Sequence, residues 1–255
     1  VRALRLALIQ VRYVNRAFWR NPAAAVFTFG FPLIFLFIFS EVLGNSRVRL
    51  GAVTVASSTY YVAAMSAFAV VTACYTNLAI TVSSQREMGI LKKLRATPLP
   101  AGSYIAARMI HAVAVAIGLV LVTAALGTAF FGAKFPTGPA LGGFLACLVV
   151  GAASFAALGL ALSAAVPSVE SSSAVVNATA LPLLFLSGVF VPLGSNSPAW
   201  LRLVAKILPV WHFARGMEAG YVGIAFHWSD VGAIAAWGAL GALVAARYFR
   251  WEPRR

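Results

Sequence analysis

Negative charge is the scarcest commodity in this chain. Six Asp and Glu stand among 255 residues, and charged residues of both signs reach only 10%. A soluble domain carries about 25%, so the composition excludes one. Cysteine is nearly absent as well. Cys74 and Cys147 both sit inside apolar runs, which leaves no disulfide framework or thiolate metal site and makes them small packing residues. Three histidines and six acids form no cluster with metal-ligand spacing, so no metal is expected. There is no G-x-S-x-G elbow, and no His shares a span with a carboxylate at face-to-face spacing, which argues against an intramembrane enzyme.

What remains is apolar: 61% of residues are hydrophobic and the mean hydropathy is +0.89. Crossing a bilayer takes about 20 mostly apolar residues. Six such runs are expected, at about 22–43, 54–82, 103–132, 139–165, 170–192 and 229–250. The predicted fold is therefore an all-α integral membrane protein, one transmembrane domain of six helices with nothing left over for a soluble domain. The first span should stay in the mature protein, because the basic start runs on to about residue 21 and no small-residue cleavage site follows.

The basic excess, 20 against 6 with a net charge of +14, would suggest nucleic acid in a soluble protein. Here the bases lie in short loops and at the ends, so no nucleic acid is expected, and the pattern reads as a topology signal and as contact with anionic membrane lipids. Fourteen fall on one side: Arg2, Arg5, Arg12, Arg16, Arg20, Arg86, Lys92, Lys93, Arg95, Arg108, Arg247, Arg250, Arg254 and Arg255. Six fall on the other. Both termini and the loop after the second span are thus expected in the cytoplasm. At the start, Arg2, Arg5, Arg12, Arg16 and Arg20 share one helical arc opposite Leu4, Val11, Val14 and Phe18. This predicts an amphipathic helix in the interface over 1–20, anchored by Arg5, Arg12 and Arg16.

Two further segments break the apolar pattern. Between the last two spans, 197–220 is too apolar for a loop and too broken for a span, and predicts short outer re-entrant helices. Ser197 would cap the first, and Pro209 would end it. Trp200, Trp211 and Trp228 are expected at headgroup level. The stretch Gln85 to Pro100 reads QREMGILKKLRATPLP. Ser84 with Glu87 fits a capping box, which predicts a helix over 84–95. On it Met88, Ile90, Leu91 and Leu94 form an apolar arc that holds Glu87, with Arg86, Lys92 and Lys93 opposite.

These residues resemble those of the ABC-2 type transporter permeases. QREMGILKKLRATPLP is similar to the first cytoplasmic coupling helix of that family, with Arg86, Glu87, Gly89, Leu91, Lys92, Leu94, Arg95, Thr97, Pro98 and Leu99 in the pattern. LPLLFLSGVFVPLGSNSPAWLRLVAKILPVWHFARGMEAG is similar to its fifth span and outer re-entrant helices, with Ser187, Gly188, Pro192, Pro198, Trp200, Pro209 and Arg215 in place.

The resemblance implies a permease subunit of an ATP-driven exporter in a bacterial cytoplasmic membrane. Its coupling residues would be Arg86, Glu87, Met88, Gly89, Leu91, Leu94 and Arg95, docked on a separate nucleotide-binding ATPase subunit present in two copies. A second copy of this chain or a sister permease would complete the path. ATP and Mg belong to the partner, since the nearest approach to a phosphate loop, GTAFFGAK at Gly127 to Lys134, lacks the Lys and hydroxyl after its second glycine.

The resemblance also implies that the second and fifth spans line the substrate path. Their candidate residues are Phe68, Thr72, Tyr75, Asn77, Asn177, Thr179 and Phe185, a set suited to a hydrophobic or amphipathic drug, lipid or lipid-linked molecule. The spans look nearly empty of ionisable groups, with Glu41 and Glu170 at span ends and His111 as a satisfied packing residue. An ion-coupled carrier, the alternative within transport, would need buried carboxylates. A non-catalytic membrane scaffold would leave the coupling stretch without a purpose.

Overall fold

The structure, a computed structural model, describes residues 2–43, 46–50, 53–97, 99–194 and 197–253. Pro98 of the motif and the terminal bases Arg254 and Arg255 lie outside the described residues, as do the side chains of Arg2 and Leu4. Among the described residues, six helices are long and apolar enough to cross a membrane. The chain begins with α1 (Arg2–Trp19) and α2 (Pro22–Leu43), then a two-stranded antiparallel hairpin, β1 (Arg47–Leu50) and β2 (Val53–Ala56). The second span is a composite of α3 (Ser57–Val70), a π-helical segment (Val71–Thr76) and α4 (Asn77–Glu87). After the short α5 (Ile90–Arg95) come α6 (Ala101–Phe131), α7 (Pro139–Ser163) and α8 (Val169–Leu186). The chain closes with α9 (Ala199–Ile207), α10 (Pro209–Val222) and α11 (Trp228–Tyr248).

Successive spans run in opposite directions. The chain termini, α5 and the 164–168 turn therefore share one end, here the basic end, and the hairpin, the 132–138 turn and α9 share the other. The core forms around α3. This helix is apolar on all sides, as a fully enclosed helix should be, and nearly every residue is buried between α2, α6 and α10. α7 and α11 approach closely through small residues: a Cβ added at Gly241 would sit 2.9 Å from the Leu158 nitrogen. Along the basic end, α1 lies on α6 with Ala7 and Val14 inward and Arg5, Arg12 and Arg16 exposed. The i, i+7 spacing of Ala7 and Val14 puts both on one face.

Four boundaries differ from expectation. The second span starts at Ser57 rather than 54, because Val53 to Ala56 pairs with the first strand, where β-branched residues fit a pleated surface. Ser46 and Ser57 close the hairpin with a 2.6 Å hydroxyl contact. The fifth span ends at Leu186 rather than 192, because Gly188 turns the chain at φ +84°, a conformation glycine adopts without a Cβ penalty. Ser197 does not cap the first outer helix, since Pro198 occupies that position. The helix expected over 84–95 is two pieces. α4 carries straight on to Glu87, Gly89 breaks it at φ +72°, and α5 begins at Ile90. Ser84 is accordingly a mid-helix residue, its hydroxyl 3.3 Å from that of Ser172.

Candidate functional site

On one flank of the bundle a groove of about 670 Å³ opens between α2, the π-helical segment and α8. Its apolar wall is an aromatic ladder. Phe27, Phe31, Phe35 and Phe39 recur every fourth residue, which puts them on one face of α2, and adjacent rings stack with centroids 5.6, 6.2 and 5.8 Å apart. Phe190 joins the ladder edge-on to Phe35 and Phe68, at 5.8 and 5.4 Å, and Phe185 lies 4.7 Å from Phe190. The opposite wall carries the polar groups: Thr72, Thr76 and Asn77 from the second span and Asn177 from α8. The Asn77 amide donates to the Thr28 hydroxyl at 2.8 Å, which itself donates to the Ala24 carbonyl, so α2 and α4 are tied across the groove floor.

Of the seven residues expected on the path, Phe68, Thr72, Asn77, Asn177 and Phe185 line this groove. Tyr75 and Thr179 do not. They join each other behind it, the tyrosine hydroxyl donating to the Thr179 oxygen at 2.9 Å, and so brace the second span against the fifth. Thr72 and Thr76 sit four residues apart, near the two ends of the π-helical segment, and both line the groove. The segment is held against α7 at Gly159, where a Cβ would come within 2.6 Å of the Tyr75 carbonyl oxygen. The ladder on α2 was missed by the sequence reading. Its signal, phenylalanine at i, i+4, i+8 and i+12 in the first span, is visible once sought.

At the basic end the corner from α4 to α5 is built around Arg86. This side chain is 1% exposed, in contrast to the polar, outward position expected for it. Nη1 donates to the Ser163 carbonyl at 2.8 Å, Nη2 donates to that of Val166, and Nε meets Glu87 Oε1 at 2.6 Å. The guanidinium thus satisfies carbonyls left open where α7 ends. Gln85 accepts from Tyr104 and from Arg108 Nη2, the latter at 2.7 Å, and so braces the start of α6 against the same corner. The expected apolar arc divides: Leu91 is fully buried and Leu94 packs on the core, whereas Met88 and Ile90 are exposed beside Lys92, Lys93 and Arg95.

The bundle also holds more buried charge than the sequence suggested. Glu218 is 7% exposed and Asp230 4%. Asp230 lies 2.6 Å from His212 and 3.8 Å from Arg215. Burial pushes the Glu218 carboxyl up to about 8, against the opposing pull of Arg215. Glu218 falls in the 197–220 segment expected at the surface, whereas α10 is wedged between α3, α7 and α11, and Asp230 stands in the first turn of the last span, where it faces His212 and Arg215. His111 is not fully satisfied either: its ring lies edge-on to Phe18 at 5.4 Å and its Nε2 has no partner.

The model of the family described as ABC-2 type transporter matches residues 6–222, which takes in α2 through α10 and both segments that carried the resemblance. Among curated proteins, the chain is similar to one from Pyropia yezoensis described as "Putative transport permease ycf38", 24% identical over 223 residues that cover 86% of this chain and 75% of that protein. With six spans, a polar and aromatic groove along the second and fifth of them, and a family match over most of its length, the chain belongs to the ABC-2 type transporter family and is a multi-pass transport permease.

Proposed function

We propose that the chain is the membrane subunit of an ATP-driven exporter and that the α2/α8 groove carries a hydrophobic or amphipathic cargo outward from the cytoplasmic side. The observation behind this reading is the groove itself. It has an apolar aromatic wall facing four uncharged polar side chains, within the usual size of a small-molecule site. The basic end faces the cytoplasm on this reading, by the bias of Lys and Arg toward that side. The α4–α5 corner is then the handle for a separate ATPase subunit. Met88 and Ile90 offer exposed apolar contacts, Lys92, Lys93 and Arg95 offer charge, and the buried Arg86 and Glu87 link the corner rigidly to α7. Two permeases and two ATPase subunits, with ATP and Mg held by the latter, make the working unit.

The test is purification of the chain from its native membrane in mild detergent, followed by reconstitution of what comes with it. An ATPase subunit should co-purify, and Met88→Asp with Ile90→Asp should release it without loss of insertion. Phe31→Ala with Asn177→Leu should leave the complex intact and cut ATP-dependent movement of a hydrophobic fluorescent amphiphile by roughly tenfold or more. Recovery of the chain without an ATPase would overturn the motor assignment. Full transport by the groove variant would overturn the path.

A further inference from the structure

A second cavity, of about 500 Å³, lies toward the end of the bundle opposite the basic corner, and the transport reading makes no use of it. Its walls include Tyr60 from α3, the Ser187–Gly188 turn, and Trp211, Arg215 and Glu218 from α10. Two buried polar groups in these walls go unanswered. Ser187 Oγ has no hydrogen-bond partner. Among the described residues no hydrogen bond or ion pair reaches the Glu218 carboxyl, although the residue is only 7% exposed. The expected partners are engaged elsewhere. Arg215 stacks over the Trp211 ring at 4.6 Å and turns its Nε toward Asp230, 3.8 Å away. The Tyr60 hydroxyl donates to the Gly188 carbonyl.

A buried carboxyl without a donor is costly, and here it borders open space large enough for a ligand. We propose that this cavity binds an ammonium group, with Glu218 as its counter-ion and the Ser187 hydroxyl as a second polar contact, which accepts an N–H where the ammonium carries one. The ring of Tyr60 and the side of Trp211 away from Arg215 give the aromatic surround that alkylammonium ions favour. An anion would have Arg215 as its one charged partner in these walls, and that guanidinium already stacks on Trp211 and faces Asp230. A hard divalent cation needs about six oxygen ligands, and the cavity offers one carboxylate. The ammonium comes from one of two sources, the headgroup of phosphatidylethanolamine or a soluble amine.

Because burial holds the Glu218 proton to about pH 8, binding of a permanent cation must expel that proton, so affinity should rise between pH 6 and 8. The ionisable groups on the elements packed here are Tyr60, Cys147, Lys206, His212, Arg215, His227 and Asp230. The pH profile is repeated with His227→Gln, the histidine that lines the cavity, and should be unchanged.

The experiment uses the full chain in nanodiscs, with choline chloride as probe and no ATPase or cargo present, so its outcome is independent of the coupling reading. In phosphatidylglycerol discs the chain should bind choline, Glu218→Gln should weaken binding at least tenfold, and the pH dependence should vanish with it. Adding phosphatidylethanolamine identifies the source. Competition with choline assigns the site to the headgroup, and unchanged binding assigns it to a soluble amine; both support the site. Independently of any variant, a hydrophobic carbodiimide should label Glu218 in the wild-type chain, and choline should slow that labelling. Choline that neither protects Glu218 nor distinguishes wild type from Glu218→Gln overturns the proposal.

Discussion

At the scale of single residues, Arg86 and Glu87 carry most of the information at the basic end. A helical wheel separates adjacent residues by 100°, so it sets Arg86 on the polar side and Glu87 within the apolar arc. In the structure the two side chains nonetheless pair at 2.6 Å, at the C-terminal end of α4. The same arginine forks onto two carbonyls at the end of α7, where the helix dipole also favours a cation. Lysine keeps the charge but lacks the planar fork. Arg86→Lys should therefore destabilise the protein by roughly 1–3 kcal/mol, and Arg86→Ala should cost more, since a buried carboxylate loses its neighbouring cation. Thermal unfolding in nanodiscs measures both. An unchanged midpoint in Arg86→Ala would show that the carbonyls find other donors and that Arg86 does not hold the corner.

At the scale of elements, the spans were legible and their irregularities were not. A membrane span is fixed by length and hydropathy, so α2, α6, α7 and α11 fall within a few residues of expectation. The hairpin at 47–56, the break at Gly89 and the π-helical turn at Val71–Thr76 depend instead on local contacts that hydropathy does not encode. For the groove, the sequence identified polar residues on two spans but missed the α2 ladder, because phenylalanine in a span reads as lipid-facing by default. The π-helical turn meets α7 at Gly159, where no side chain fits: a Cβ would lie 2.6 Å from one backbone oxygen and 2.8 Å from the next. Backbone cannot rotate aside as a side chain does. Gly159→Val should thus push α7 off the second span, lower stability by roughly 1–3 kcal/mol and displace Thr72 and Thr76 from the groove. Gly118→Val is the control, since a Cβ there meets nothing within 4 Å. Equal unfolding midpoints for the two variants would remove the claim that this contact shapes the groove.

At the scale of the whole molecule, the groove lies on an open flank of the bundle. Only 28% of the α2 span and 22% of the α8 span are buried, against 78% for the second span between them. Apolar exposure alone is uninformative in a bilayer, since lipid tails are as apolar as leucine. The polar wall carries more weight. Thr72, Thr76, Asn77 and Asn177 are all half-buried on this flank, and such groups are poorly placed against hydrocarbon, where water cannot serve them. A second permease applied to the α2/α8 flank would cover them and turn the groove into an enclosed path, whereas association through α11 would leave it facing lipid. The native cysteines, both buried, permit a direct test by added single cysteines. Phe185→Cys, on an exposed groove position, should give disulfide-linked dimers under mild oxidation, and Leu243→Cys, on α11 and more exposed still, should not. Dimers from Leu243→Cys alone would place the subunit interface on the α11 flank, and the groove would then be closed by lipid or by cargo rather than by a second permease.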